Sequence, residues 1–179
     1  MNYKLHSEKQ KLDHLFSRLK NFVNDEELAA HWSRYLCVLL SGFIENVLRA
    51  LVTEYVSQMS HPTVSHYVAR QISSVTNLNE KRIQQLLGSF SDSWRNTFDD
   101  KITDEQKAAI DSIVANRHNI AHGRSVGVSP VQIKEYYARV LEVVSILEND
   151  CIKRQCACLH ITLYKSSESR EKSSPPSLP

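Results

Sequence analysis

The sequence predicts an all-α protein, an up-and-down helical bundle of about five to six helices. The chain of 179 residues contains four glycines and five prolines, and three of those prolines lie in its last five residues. So few turn residues argue against a loop-rich or all-β fold. Hydrophobic residues make up 41% of the chain and recur at three- and four-residue steps, as they do in helices that bury one face.

We expect residues 1–150 to form one helical domain with a single core, because about 150 residues is an ordinary size for one globular domain. Residues 151–164 are predicted to be a short C-terminal extension. Apolar and polar residues alternate from Cys156 to Leu163, a pattern that a short strand would explain. Residues 165–179 are rich in serine, proline and charge, and this composition predicts a disordered tail.

Charge and hydropathy restrict the partners of the protein. The formal net charge of +2 predicts no large basic surface, so any contact with nucleic acid should be local. The N-terminal residues form no apolar run, and the longest apolar run, Tyr35–Leu40, is far too short to span a bilayer. We therefore expect a cytoplasmic protein that does not bind a membrane.

Two helices are predicted in the first third of the chain. The first should begin at Ser7, because Ser7 and Gln10 have the spacing of a capping box, and should run to about Phe22. The second should be capped within Asn24–Glu27 and continue without a break to about Met59. Apolar residues lie on several sides of this second helix, so we expect it to be the central helix of the bundle.

Glu45 is the exception among the apolar residues of the central helix. An unpaired carboxylate buried at this position would be costly. Two interpretations follow: Glu45 lies at the edge of the bundle, or it orients a basic partner such as Arg117 or His118.

Shorter segments are predicted in the middle of the chain. One helix should cover about Val64–Val75, and another about Leu78–Phe90, with Asn77 as its N-cap. The polar stretch Ser91–Lys101 is predicted to be an ordered excursion in which Trp94 packs locally.

Two further helices are predicted before the extension. The first runs from about Thr103 to His122, since Thr103 and Gln106 form a capping box and Gly123 is a typical C-terminal residue. The final helix is capped by Ser129, with Pro130 at the first helical position and Gln132 completing a capping box, and extends to about Asn149.

Polar chemistry is concentrated at the end of the helix that carries Arg117 and His122. These two residues lie about 7.5 Å apart along the helix axis and roughly 140° apart around it, so they are not stacked neighbours. The long Arg117 side chain could still converge with His122 on one phosphodiester. His118 and His122, four residues apart, should share a face.

An arginine and a histidine suffice, in principle, to cleave RNA without a metal. The histidine can remove the proton of a 2′-hydroxyl, and the arginine can stabilise the charge that builds on the phosphate oxygens. The substrate supplies the nucleophile, so we expect no cofactor. Asn119 could hydrogen-bond the phosphate or hold a histidine in one tautomer. Arg124, in the loop that follows, is placed to contact the same substrate.

Simpler interpretations of these residues stay open. Basic residues near the C-terminus of any helix interact favourably with its dipole. A pair such as His118 and His122 could also bind zinc, but Asn119 occupies the position at which zinc hydrolases carry a glutamate base. We therefore predict no metal at this pair.

Two stretches of this sequence resemble the HEPN family. The residues from Arg117 to His122 match its R-x(4–6)-H motif, and the Asn-x-Ala-His-Gly ending at 119–123 is the form seen in the branch related to the RiboL-PSP HEPN proteins. The stretch Ser41–Leu48, with Glu45 among apolar residues, is similar to the long second helix of that branch. The order of elements agrees over about residues 8–150.

The resemblance implies a function and a set of site residues. HEPN domains are usually dimers in which two motifs face each other and act as a metal-independent endoribonuclease. Arg117 and His122 would be catalytic, with His118, Asn119 and Glu45 in support. The partners would be RNA, a second copy of the chain, and an antitoxin or effector if the protein is a toxin or antiviral factor. Since some members have lost catalysis, the alternative is a non-catalytic module that binds nucleotide, RNA or protein.

The four cysteines raise a separate question. Cys37 lies in the apolar central helix and is predicted to be a buried thiol. Cys151, Cys156, Cys158 and His160 are four residues of types that bind zinc, but their spacing matches no zinc site that we can assign.

Overall fold

The computed structural model describes residues 3–22 and 24–152, and every segment of regular structure in them is helical. There are seven α-helices in this part of the chain: α1 Tyr3–Ser17, α2 Glu26–Met59, α3 Pro62–Ser73, α4 Glu80–Phe90, α5 Asp92–Lys101, α6 Asp104–Ala121 and α7 Pro130–Ile146. A 3₁₀ turn, Arg18–Phe22, follows α1, and a π-helical turn, Leu147–Ile152, follows α7. The predicted all-α bundle is confirmed.

Helix α2 is the centre of the bundle, and α1, α3, α6 and α7 pack around it. Its N-cap is Asp25, whose carboxylate accepts a hydrogen bond from the N–H of Leu28 at 2.9 Å. Because neighbours surround it, α2 is buried on several sides, as its sequence predicts. The fully buried Cys37 thiol lies 3.6 Å from the carbonyl oxygen of Ile113 in α6, and burial raises the pKa of this thiol to about 11.

Hydrogen bonds between side chains and neighbouring helices show the directions in which the long helices run. Helix α1 is antiparallel to α2, since Trp32 donates to the carbonyl oxygen of Leu15 near one end and Asn46 donates to Glu8 near the other. Helices α6 and α7 are also antiparallel: Gln106 at the start of α6 donates to Glu142, near the end of α7, at 2.8 Å. This arrangement places the end of α6 beside the loop that leads into α7.

The structure corrects three boundaries that the sequence predicts. Helix α1 begins at Tyr3, so Ser7 is inside the helix and is not its cap. The stretch Ser91–Lys101 contains α5, a helix beyond the six that the sequence predicts. Its buried Trp94 and Phe98 lie one turn apart and both pack into the core. Helix α4 is capped by Asn79 and not by Asn77.

Helix α2 is long and apolar enough to cross a membrane by length and composition alone. In the described residues, however, 56% of its most apolar window is buried inside the bundle, which is typical of a core helix. The cytoplasmic location expected from the sequence stays a prediction.

Candidate functional site

The candidate site is built on the C-terminus of α6, which ends in a Schellman motif. His122 is the C-cap, and Gly123 follows in the left-handed conformation with φ of +68°. The N–H of Gly123 donates to the carbonyl oxygen of Ile120 at 3.1 Å, and the N–H of Arg124 donates to that of Asn119 at 2.9 Å. These two bonds satisfy helix carbonyls that would otherwise lack donors, and they fix where the helix ends.

Gly123 should stabilise this helix end. Gly123→Ala should lower the free energy of unfolding by about 1 kcal/mol, because an L-residue is strained at this φ. No atom would contact the added methyl group, so the strain would come from the backbone alone. Gly127→Ala is the matched control, since its methyl group also meets open space and its φ is not left-handed. Equal denaturation midpoints for the two variants would contradict this assignment.

His118 and His122 form an exposed pair on the last turn of α6. Their ring centroids are 4.4 Å apart and the ring planes are inclined by 59°. Both residues are exposed, so a ligand can reach either ring. The prediction that these two residues share a face is confirmed.

Arg124 and Asn119 lie at the same helix end. The guanidinium of Arg124 donates to the side-chain oxygen of Asn119 at 3.3 Å. This polar contact joins the two positions at which Schellman motifs often make an apolar contact. Asn119 thus holds an exposed cation at the helix end that carries the His118–His122 pair.

Arg117 lies in a different polar environment. It is half-buried, and its Nη1 donates to the side-chain oxygen of Asn77 at 3.1 Å. Asn77 precedes α4, and its own N–H donates to Glu45 Oε1 at 2.7 Å. Among the described residues, Arg117 makes no hydrogen bond with either histidine of the motif.

Glu45 therefore contacts neither of the basic partners considered from the sequence. Its carboxylate accepts from the backbone of Asn77, and the side chain of Asn77 in turn accepts from Arg117. Asn77 is a site residue that the sequence analysis missed. Its only signal in the sequence is the asparagine itself, a residue that tolerates positive φ, and here φ is +55°.

The described residues contain no group of three or more His, Cys, Asp or Glu side chains that could hold a metal ion. Cys156, Cys158 and His160 lie outside the described residues. Cys151 is buried at the end of the π-helical turn, and burial raises the pKa of its thiol to about 12. A buried, protonated thiol is a poor metal ligand.

Comparison with known proteins agrees with the fold and with the motif at the end of α6. These features define a HEPN-like domain, and the family model described as RiboL-PSP-HEPN matches residues 3–153. The chain belongs to the RiboL-PSP-HEPN family, which confirms the resemblance carried by the two short stretches. No curated protein and no solved structure matches it.

Proposed function

We propose that this protein is a metal-independent endoribonuclease of the HEPN type. The observation that carries the proposal is the exposed His118–His122 pair at the capped end of α6, in a chain that belongs to a HEPN family. Two imidazoles side by side supply the proton acceptor and proton donor that RNA cleavage needs. Arg124 adds a permanent positive charge at the same helix end.

The proposed reaction is attack by the 2′-hydroxyl of RNA on the adjacent phosphorus. His122 takes the 2′-hydroxyl proton while the O2′–P bond forms and the P–O5′ bond breaks. The leaving 5′-oxygen takes up a proton from His118 or from water. The products are a 2′,3′-cyclic phosphate and a 5′-hydroxyl. Arg117 and Arg124 stabilise the negative charge that builds on the phosphate oxygens. No cofactor enters this sequence of steps.

Product analysis in a chelator tests the reaction. RNA incubated with purified protein in excess EDTA should be cleaved at the same rate as without EDTA, and the upstream fragment should end in a 2′,3′-cyclic phosphate. The end group can be identified by mass spectrometry before and after acid treatment. If activity is lost in EDTA and restored by added zinc, the reaction depends on a metal bound at His118 and His122, and the proposed metal-independent reaction is wrong.

A homodimer would complete the site, with the end of α6 at or beside the interface. Two copies would bring two sets of Arg117, Arg124 and the His pair to one phosphate, which raises the local positive charge of a chain that is nearly neutral overall. We expect light scattering at tens of micromolar protein to give the mass of a dimer. A monomer at that concentration would contradict a site that is shared between the motifs of two copies.

A second candidate is a non-catalytic HEPN-like module that binds nucleotide, RNA or another protein. One observation favours it: among the described residues, the Arg117 guanidinium makes a hydrogen bond with Asn77 and none with either histidine of the pair. Such a module would bind RNA in EDTA without cleaving it. An antitoxin or effector partner and a role in toxin–antitoxin or antiviral defence belong to the proposal, and family membership is their only support.

A further inference from the structure

We infer that Asn77 is a positioning residue that fixes the guanidinium of Arg117 for the phosphate. This inference rests on the proposed function, because it assigns Asn77 a part in the same site. The contact that carries it is the hydrogen bond of 3.1 Å from Arg117 Nη1 to Asn77 Oδ1, which joins residues 40 positions apart in the chain.

The backbone of Asn77 is held in a conformation that few residues adopt. Among the described residues, Asn77 is the one non-glycine residue with positive φ, at +55°. Such conformations persist where the surrounding structure enforces them, and they are concentrated at functional sites. Here the Glu45 carboxylate holds the backbone of Asn77 in place, because it accepts the Asn77 N–H at 2.7 Å.

The connection between α3 and α4 is held from three helices: within it at Thr76, and at its two ends at Ser73, the last residue of α3, and Glu80, the first residue of α4. From α2, Arg49 donates to the carbonyl oxygen of Ser73 at 3.4 Å. From α4, Arg82 donates to that of Thr76 at 2.8 Å. From α6, Asp111 accepts the N–H of Glu80 at 2.9 Å. These contacts do not involve Arg117, so the connection is held in position independently of Arg117.

The chemistry of an amide suits this role better than that of a carboxylate. Asn77 Oδ1 occupies one of the five N–H groups of Arg117 and leaves the others for phosphate oxygens. Because the amide is neutral, the positive charge of Arg117 stays available to the substrate. Among the described ion pairs there is none between Glu45 and Arg117, and the hydrogen bond described for Glu45 is the one that it accepts from the backbone of Asn77.

Asn77→Gly isolates the side-chain contact. Glycine accepts positive φ at no steric cost and keeps the N–H that donates to Glu45, so the substitution removes the amide without straining the backbone. We expect kcat to fall roughly 10- to 100-fold, as for a misplaced catalytic group, with KM nearly unchanged. Thr76→Gly is the matched control, because it places a glycine in the same connection without touching Arg117, and it should leave kcat near the wild-type value.

Asn77→Asp tests the importance of a neutral partner. An aspartate keeps an acceptor for Arg117 but compensates its charge, so it should weaken RNA binding and should not rescue kcat. In an Arg117→Ala background, Asn77→Gly should cause no further loss, because the two residues act through one contact. Wild-type kcat in a folded Asn77→Gly protein, or losses that multiply in the double variant, would overturn the inference.

A measurement on Arg117 itself separates this inference from the proposed function. The Nε–H relaxation of Arg117, followed by NMR, should report a rigid side chain in the wild-type protein and in Thr76→Gly, and a mobile one in Asn77→Gly. Equal mobility in all three proteins would overturn the positioning role, whatever their activity. A wild-type protein with a rigid Arg117 that cleaves no RNA would instead overturn the proposed ribonuclease function and leave the contact established.

Discussion

His122→Ala should lower kcat for RNA cleavage by ~10²–10⁴-fold, the usual cost of removing a general acid–base group. RNA binding should hardly change, because the positive charge for phosphate is supplied by arginines. The fold should also persist, since His122 is an exposed C-cap whose hydrogen bonds to α6 are made by its backbone.

The comparison needs two further histidine variants. His66→Ala removes another exposed histidine, from α3, and should keep wild-type kcat. His118→Ala should cost less than His122→Ala, unless His118 is the base and His122 only positions it. A folded, dimeric His122→Ala protein that is as active as wild type would contradict the assignment of His122 as the proton-transfer group.

Arg117→Lys should also lower kcat strongly, although the positive charge is kept. Lysine lacks the planar fork that donates to two phosphate oxygens at once, so stabilisation of the transition state should be lost. If Arg117 only anchors phosphate, the change should instead be a weaker affinity that depends on salt. Steady-state kinetics at two salt concentrations, with the exposed Arg70→Lys as the matched control, distinguish the two results.

The fold was largely predictable because its local signals agree with its tertiary contacts. The capping boxes at Thr103 with Gln106 and at Ser129 with Gln132 are both formed, and they set the starts of α6 and α7. Helix α5 was not predicted as a helix because its sequence is polar except for two large aromatic residues. These residues, Trp94 and Phe98, are buried against the core, and that burial is visible only in the structure.

The candidate site was predictable only where it is local in sequence. The exposed pair of His118 and His122 and the glycine cap follow from helix geometry alone. The link from Glu45 through Asn77 to Arg117 spans 32 and then 40 positions, and no pattern in the sequence indicates it. Asn77 and Asn79 are equally good caps by residue type, but in the structure Asn79 accepts from the N–H of Arg82 and caps α4, while the side chain of Asn77 accepts from Arg117.

The most direct test of the account uses one RNA in two forms. After the cleavage site is mapped, a second RNA is made with a single 2′-deoxy nucleotide on the 5′ side of the cleaved bond. In EDTA, the wild-type protein should cleave the all-ribose RNA at that bond and leave the deoxy form intact there, and His122→Ala should cleave neither at a comparable rate. Cleavage of the deoxy-substituted bond by the wild-type protein would contradict attack by the 2′-hydroxyl, and with it the proposed mechanism.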